Sequence, residues 1–131
     1  LVMFTALLQL GGEIYYLATI DEDKPRVRPF GALNIFEDKL YILTGKVKSV
    51  SKQMEKNENV EICGFKDGKW IRVDAKVVRD DRLEAKASML DFNPELKGQY
   101  DVNDNNTEVL YLTSATAIIN SFTHEPIVYK F

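Results

Sequence analysis

Cysteine and histidine are almost absent from this sequence, which carries Cys63 and His124 as single examples among 131 residues. One chain therefore cannot form an internal disulfide, and it lacks the ligands for a Cys/His cage around a structural zinc ion. We expect no metal site. A single cysteine is typical of a reducing compartment, so we also expect a cytoplasmic protein.

Positive charge and long apolar runs are lacking as well. The formal net charge of -3 gives no general attraction to a polyanion, so we expect no nucleic-acid partner. The apolar opening at residues 1–10 ends at Gly11, after about half of the ~20 residues that a membrane-spanning helix needs. We interpret it as an amphipathic helix packed on the protein, and we expect no membrane partner.

The rest of the composition is that of a globular chain, with 45% hydrophobic and 28% charged residues. The length fits one domain, which we expect to span residues 1–131. Short runs rich in β-branched and aromatic residues alternate with turn-forming residues, which is typical of an antiparallel β-barrel with a few peripheral helices. The predicted strands are residues 14–20, 26–36, 40–44, 60–65, 70–77 and 108–122, and the predicted helices are residues 50–56 and 82–90.

Local residues support these boundaries. Asp67-Gly68 predicts a tight hairpin turn between the fourth and fifth strands. Ser49 is a candidate N-cap for the first helix, and Asp80 or Asp81 for the second. A bend is expected in the last long strand near Ser114.

Basic residues converge at one place in this otherwise acidic chain. Strand pairing across the turn at residues 37–39 places Arg28 opposite the neighbourhood of Lys48, at the start of a helix whose free N–H groups and positive dipole end favour an anion. Lys52 lies one helical turn beyond Lys48, and no acidic residue occurs between positions 44 and 54. The pattern indicates a phosphate site, although a solvated face of lysines remains the alternative from spacing alone.

Neighbouring residues suit the same site. Pro29 inside a strand removes a ladder donor, which indicates an edge strand or an irregularity, and Gly31 permits close approach to the backbone. Both features suit a flat ring that lies against main chain. The hydroxyls of Thr44, Ser49 and Ser51 can donate to phosphate oxygens.

A family resemblance is carried by these residues together with others. The matching segments are YYLAT (15–19), PRVRPFG (25–31), LYILT (40–44), KQM (52–54) and GKWIRV (68–73). In this order and spacing they resemble the pyridoxamine-phosphate-oxidase-like, FMN-binding split-barrel proteins. The resemblance holds from about residue 13 to 122, and the chain looks closer to the short members described as general stress proteins or nitroimidazole-resistance proteins than to the vitamin B6 oxidases.

The resemblance implies a mainly β, antiparallel six-stranded split β-barrel with peripheral helices, and a homodimer that holds FMN at its subunit interface. One strand would run beside the flavin ring and ribityl chain, while a turn and a helix start would hold the phosphate. A second subunit would complete the site, with core or dimer packing as the alternative role of its Trp70. The implied contacts are Arg28, Pro29, Phe30 and Gly31 on the strand, Thr44, Lys48, Ser49, Val50 and Gln53 at the phosphate end, and Trp70.

The implied activity is that of an FMN-dependent oxidoreductase acting on a small organic acceptor, which includes nitroimidazoles and other nitro compounds. The alternative is a stress-response protein that binds flavin, haem or a deazaflavin without catalysis. Vitamin B6 oxidases end in a substrate-binding segment rich in Arg and His, which residues 123–131 do not match, so pyridoxamine phosphate oxidation is not expected. Some nitroimidazole-resistance proteins carry a histidine near the flavin edge that has no match here, and no catalytic side chain is identified.

Three other features favour structural roles. Cys63 lies in an apolar strand and is interpreted as a small buried hydrophobic residue, and His124 is expected to be exposed. The acidic run at residues 101–108 lacks the ligand spacing of a calcium loop and predicts a solvated loop. Glycine patterns of Rossmann and P-loop nucleotide sites do not occur.

Overall fold

The computed structural model describes residues 14–131, so the helix expected over residues 1–10 lies outside the described residues. The strands are β1 (Tyr15–Asp21), β2 (Lys24–Phe30), β3 (Leu33–Phe36), β4 (Lys39–Gly45), β5 (Asn59–Lys66), β6 (Lys69–Asp80), β7 (Thr107–Ser121) and β8 (Ile127–Lys130). The helices are α1 (Ser49–Lys56) and α2 (Leu83–Phe92), and a single 3-10 turn covers Pro94–Leu96.

The strands form one sheet in the order β2-β1-β5-β6-β7-β4-β3, and β8 pairs with β7. Every strand pair is antiparallel. The outermost strands β2 and β3 are consecutive in the chain, and only Gly31 and Ala32 separate them. Three Cα steps span at most about 11 Å, so the sheet must curl until its two edges meet. The result is a barrel that is split between β2 and β3.

The predicted fold class is confirmed, with two differences in the strands. The expected continuous strand over residues 26–36 is divided at Gly31 into β2 and β3, because its halves pair with different partners, β1 and β4. The C-terminal strand β8 was not predicted. These two differences account for eight strands in the described part of the chain where six were expected.

Alternation of side chains builds the barrel core. Ile71, Val73, Ala75 and Val77 on β6 are all buried and face one side, as their period of two predicts. Helix α2 covers the other side of β4 and β7, where its buried residues join a second apolar cluster. The members of that cluster include Tyr41, Leu43, Ala85, Met89, Leu90 and Val109.

Turn and bend predictions agree with the backbone. Asp67 and Gly68 both have positive φ, at 53° and 77°, as a two-residue turn between β5 and β6 requires. Ser114 has a φ of 48°, and the β6–β7 register shifts between Asp74 and Lys76. The long strand β7 therefore bends near Ser114, as predicted.

Three local predictions are wrong. Lys48 occupies the N-cap position of α1, so Ser49 is the first helical residue and not the cap. Arg82 is the N-cap of α2, while Asp80 accepts a hydrogen bond from the Arg82 backbone N–H at 3.1 Å. Cys63 is exposed, because the inward positions of β5 fall to its neighbours. His124 is exposed, as expected.

Candidate functional site

Arg28 is the half-buried centre of the candidate site. Its Nη1 donates to Thr19 Oγ1 at 2.7 Å, to Leu17 O at 3.2 Å and to Arg26 O at 3.4 Å. Its Nη2 donates to Gln53 Oε1 at 2.7 Å. All four acceptors are neutral, and within the described chain no carboxylate pairs with this guanidinium. Burial, followed by the positive charge of Arg26, lowers the pKa of Arg28 below its ordinary value.

Gln53 connects this arginine to the helix. Its Oε1 also accepts a hydrogen bond from Thr19 Oγ1 at 2.6 Å, so one side-chain oxygen joins β1, β2 and α1. Sequence reasoning identified Arg28 and Gln53 but missed Thr19. The inward row of β1 offered a signal, because Thr19 is the polar residue that follows the apolar Tyr15 and Leu17 at the same spacing.

The start of α1 is open to an anion. Lys48 at the N-cap makes no side-chain capping bond, and its ammonium group has no acceptor with which to make one. The first turn contains no acidic residue. The N–H groups of a first helical turn have no partner within the helix, so those of Ser49 and Val50 form the positive end of the helix dipole, and no side chain caps them.

No strand pairing brings Lys48 opposite Arg28. The β2 strand pairs with β1, where Arg28 is opposite Leu17, and the expected pairing of Arg28 with the Lys48 neighbourhood is therefore wrong. The Lys48 Nζ lies 6.0 Å from the centre of the Tyr100 ring. Strand and helix nevertheless meet through the Arg28–Gln53 hydrogen bond, one helical turn further along α1.

A depression of about 440 Å³ lies between α1 and the turn that joins β1 to β2. It brings basic and amide side chains of the helix next to acidic side chains of the turn. Its lining residues are Ile20, Asp21, Glu22, Ser49, Lys52, Gln53, Lys56 and Asn57. Two predicted site residues, Ser49 and Gln53, therefore border one open cavity.

The remaining strand residues lie at the split of the barrel. Pro29 is exposed on β2, which is an edge strand as the proline indicated. The Phe30 ring is half-buried, 6.0 Å from the ring of Tyr15. Gly31 is exposed, and a Cβ added there would meet no atom of residues 14–131 within 4 Å. Among these residues, the edge is therefore open to a flat ligand.

Two predicted residues point their side chains inward. Thr44 is 1% exposed, and its Oγ1 is buried without a hydrogen-bond partner in the described structure. Val50 is 4% exposed and packs in the main core cluster. Any contact from Val50 to a ligand must therefore come from its main chain. The Ser51 hydroxyl is also unavailable to a phosphate, because it donates to Glu108 Oε1 at 2.8 Å.

Trp70 belongs to a different surface. It lies on β6, two strands from β1, and its ring centre is 5.1 Å from that of Phe122. Its cross-strand partners are Phe65 and Asn120. Phe65 and Phe122 are 61% and 82% exposed, so this aromatic group faces outward.

The outer face of the sheet continues this apolar surface. Strand registers place one residue from each of six strands in a single cross-sheet row, and most of the row is apolar. We call these residues the outer row: Pro29, Tyr16, Cys63, Arg72, Ile118 and Val128. Tyr16 and Val128 are 51% and 54% exposed.

Other classes of site find little support in residues 14–131. No group of three or more His, Cys, Asp or Glu side chains there could hold a metal ion. No helix in that range is long and apolar enough to cross a membrane.

The comparison with solved structures identifies the family. A NimC/NimA family protein from Clostridium acetobutylicum is 40% identical, with a TM-score of 0.94 over 99% of this chain and 91% of that chain. The chain belongs to the NimC/NimA family. No family model matches this NimC/NimA sequence, and no curated protein does.

More distant structures share the fold with this NimC/NimA chain. General stress protein 26 from Bacillus anthracis is 17% identical, with a TM-score of 0.76 over the full length of both chains. A pyridoxamine 5'-phosphate oxidase-related, FMN-binding protein from Nostoc punctiforme is 14% identical, with a TM-score of 0.62 over 99% of this chain and 95% of that one. A heme-binding protein from Mycobacterium smegmatis is 13% identical, with a TM-score of 0.70 over 89% of this chain and 52% of that one. The expected family of split-barrel proteins is thus confirmed.

Proposed function

We propose that this NimC/NimA family protein binds FMN and transfers electrons to a small organic acceptor. The observation that carries the proposal is the junction of β2 with α1. There an arginine with only neutral acceptors meets a helix whose first turn has no acidic residue and no side-chain cap. A phosphate dianion is the ligand that such donors and such a dipole favour.

The residues present fit FMN. Arg28 and Lys48 supply positive charge, and the main-chain N–H groups of Ser49 and Val50 supply further donors to the phosphate. The open edge of β2 at Pro29 and Gly31 offers main chain against which a flat ring can lie. FMN supplies the electron transfer chemistry when bound, and the chain supplies binding, orientation and electrostatics.

We propose further that the working unit is a homodimer with FMN at its interface. The outer row and the aromatic group around Trp70 form an exposed, mainly apolar face, which is the composition expected of a protein interface. In this proposal Trp70 of a second copy approaches the flavin bound beside Arg28.

Pyridoxamine phosphate oxidation is not part of the proposal. Residues 127–130, close to the end of the chain, form β8 and pair with β7, and Phe131 exchanges backbone hydrogen bonds with Ala115. This end of the chain therefore completes the sheet.

The direct test is the visible absorption spectrum of the purified protein, before and after incubation with FMN, haem or a deazaflavin. We expect flavin bands, FMN bound at one molecule per chain, and FMN-dependent NAD(P)H oxidation with nitroaromatic or quinone acceptors. Tight FMN binding with no turnover above that of free FMN would show that the protein binds flavin without catalysing electron transfer, and would overturn the oxidoreductase proposal.

Haem is the second candidate ligand, because a heme-binding protein shares the fold. Haem iron needs an axial ligand such as His or Cys, and both such residues of the described chain, His124 and Cys63, are exposed. A haem Soret band that forms in preference to flavin binding would overturn the FMN proposal.

A further inference from the structure

The loop at residues 101–107, which leads into β7, is held together by hydrogen bonds to one of its own side chains. Asp104 accepts hydrogen bonds from the backbone N–H groups of Thr107 at 2.7 Å and Asn106 at 2.8 Å, and from the Thr107 hydroxyl at 2.9 Å. These N–H groups hold the pKa of Asp104 well below its ordinary value. The loop at residues 101–107 is therefore locked by its own side chains, although the sequence predicted only a solvated loop.

Asn106 connects this loop to the turn before α1 by hydrogen bonds. Its carbonyl accepts from Lys46 N at 2.8 Å, and its Oδ1 accepts from Val47 N at 3.2 Å. A Cβ added at Gly45 would lie 2.9 Å from Asn106 Nδ2, so the two residues are in close contact. The turn at residues 45–48, which precedes α1, is therefore held in place by its hydrogen bonds to Asn106.

Glu108 contacts the first turn of α1 on the buried side of the helix. Its side chain is 0% exposed, and its Oε1 accepts from Ser51 Oγ at 2.8 Å. Its Oε2 lies 2.7 Å from Arg79 Nε on β6. A buried carboxylate is retained only where partners compensate its desolvation. Here Ser51 supplies a hydrogen bond to Oε1, and Arg79 supplies the opposite charge beside Oε2, which has no hydrogen-bond partner within residues 14–131.

We propose that Asn106 and Glu108 are positioning residues for the phosphate end of FMN, acting through the main chain of residues 45–51. The proposal rests on the FMN site described above. A ligand held by main-chain N–H groups is sensitive to displacement of that main chain by fractions of an ångström, and supporting hydrogen bonds set its position. Neither residue touches the ligand.

A purely structural role makes a different prediction. General loosening of the barrel lowers affinity for every flavin, whereas misplacement of the helix start lowers affinity only for flavins that carry a phosphate. The ratio of riboflavin Kd to FMN Kd separates the two, because riboflavin has the same ring and no phosphate.

The experiment measures both dissociation constants by fluorescence titration for the wild type, Ser51→Ala, Glu108→Gln and Asn106→Ala. We expect the riboflavin-to-FMN Kd ratio to fall by about three- to tenfold in each variant, the effect of about one hydrogen bond. Ser88→Ala is the matched control. It removes a hydroxyl of helix α2 that accepts a hydrogen bond from Asn34 Nδ2 of β3 at 2.9 Å. Its ratio should equal that of the wild type.

The outcomes are distinguishable. If the wild type binds FMN no better than riboflavin, the proposed phosphate site fails. If the wild type prefers FMN and all three variants keep that ratio, the positioning role is overturned. Glu108→Gln removes the nearer of the two carboxylates that pair with Arg79 and can unfold, in which case Ser51→Ala, which removes only a hydroxyl, decides.

Discussion

Arg28 Nη2 and Gln53 Oε1 lie 2.7 Å apart, and this hydrogen bond joins the edge strand β2 to the helix α1 across 25 residues of sequence. The same oxygen accepts from Thr19, so the bond also fixes the position of the Arg28 guanidinium. An arginine held by neutral groups keeps its charge uncompensated. That charge is then available to a phosphate.

A negative charge at position 53 should therefore weaken FMN binding without destabilising the fold. Gln53→Glu keeps an oxygen acceptor for Arg28 and Thr19, so we expect a stable protein. The new negative charge lies beside the phosphate site, and we expect FMN binding to weaken by about 1–2 kcal/mol. Fluorescence titration should show riboflavin affinity unchanged.

Gln99→Glu is the matched control, because Gln99 is exposed and takes no part in the hydrogen bonds that join Arg28, Thr19 and Gln53. It makes the same chemical change and should leave FMN affinity as it is. Equal effects of the two substitutions would mean that Gln53 is not close to the phosphate.

The outer row offers a test of the dimer. Tyr16→Glu or Val128→Glu places a carboxylate in the proposed interface, where burial of an unpaired charge costs several kcal/mol. We expect sedimentation velocity to show a dimer for the wild type and a monomer for both variants, with FMN affinity lost as well.

Leu83→Glu is the control for this experiment. Leu83 is 56% exposed at the start of α2 and does not belong to the outer row. Its substitution should leave the dimer intact. A wild-type monomer that binds FMN would contradict the shared site.

Asp80 makes the free energy of unfolding depend on pH in the acid range. It accepts from Tyr41 Oη at 2.8 Å and from Arg82 Nη2 at 2.9 Å, and the Arg82 hydrogen bond lowers its pKa to about 2. The pKa in the unfolded chain is about 3.9, so the folded state binds the proton more weakly. The stabilisation is complete above about pH 4 and is lost as the pH falls through about 2.

We expect Asp80→Asn to lower the free energy of unfolding by about 1 kcal/mol at pH 7. The difference from the wild type should shrink as the pH falls from about 4 towards 2. Urea unfolding at several pH values measures it. Ser88→Ala breaks a bond between neutral groups and should show a constant difference, and a constant difference for Asp80→Asn as well would refute the assignment.

Local patterns were enough for much of the fold. The turn at Asp67-Gly68 and the alternation on β6 depend on residues close in sequence, and both were predicted. The division of the expected strand at Gly31 was not, because it depends on which distant strand each half pairs with. The short apolar strand β8 likewise acquires its structure from pairing with β7.

The site was predicted in part for the same reason. Arg28 was identified from the convergence of basic residues and from family resemblance, and Gln53 from family resemblance alone. The pairing that was expected to unite Arg28 with the Lys48 neighbourhood does not exist. Glu108 was missed because an acidic residue beside a polar loop normally faces water. Its burial depends on Ser51, 57 residues away, and on Arg79 of another strand.

The most direct test of the central claim is the FMN dissociation constant of Arg28→Ala and Lys48→Ala, measured by fluorescence titration beside the wild type. Lys97→Ala, which removes one exposed positive charge paired with Asp91, is the control. We predict that the two site variants weaken FMN binding by about 1–3 kcal/mol while the control does not. Unchanged affinity in both site variants would contradict a phosphate site at the junction of β2 and α1.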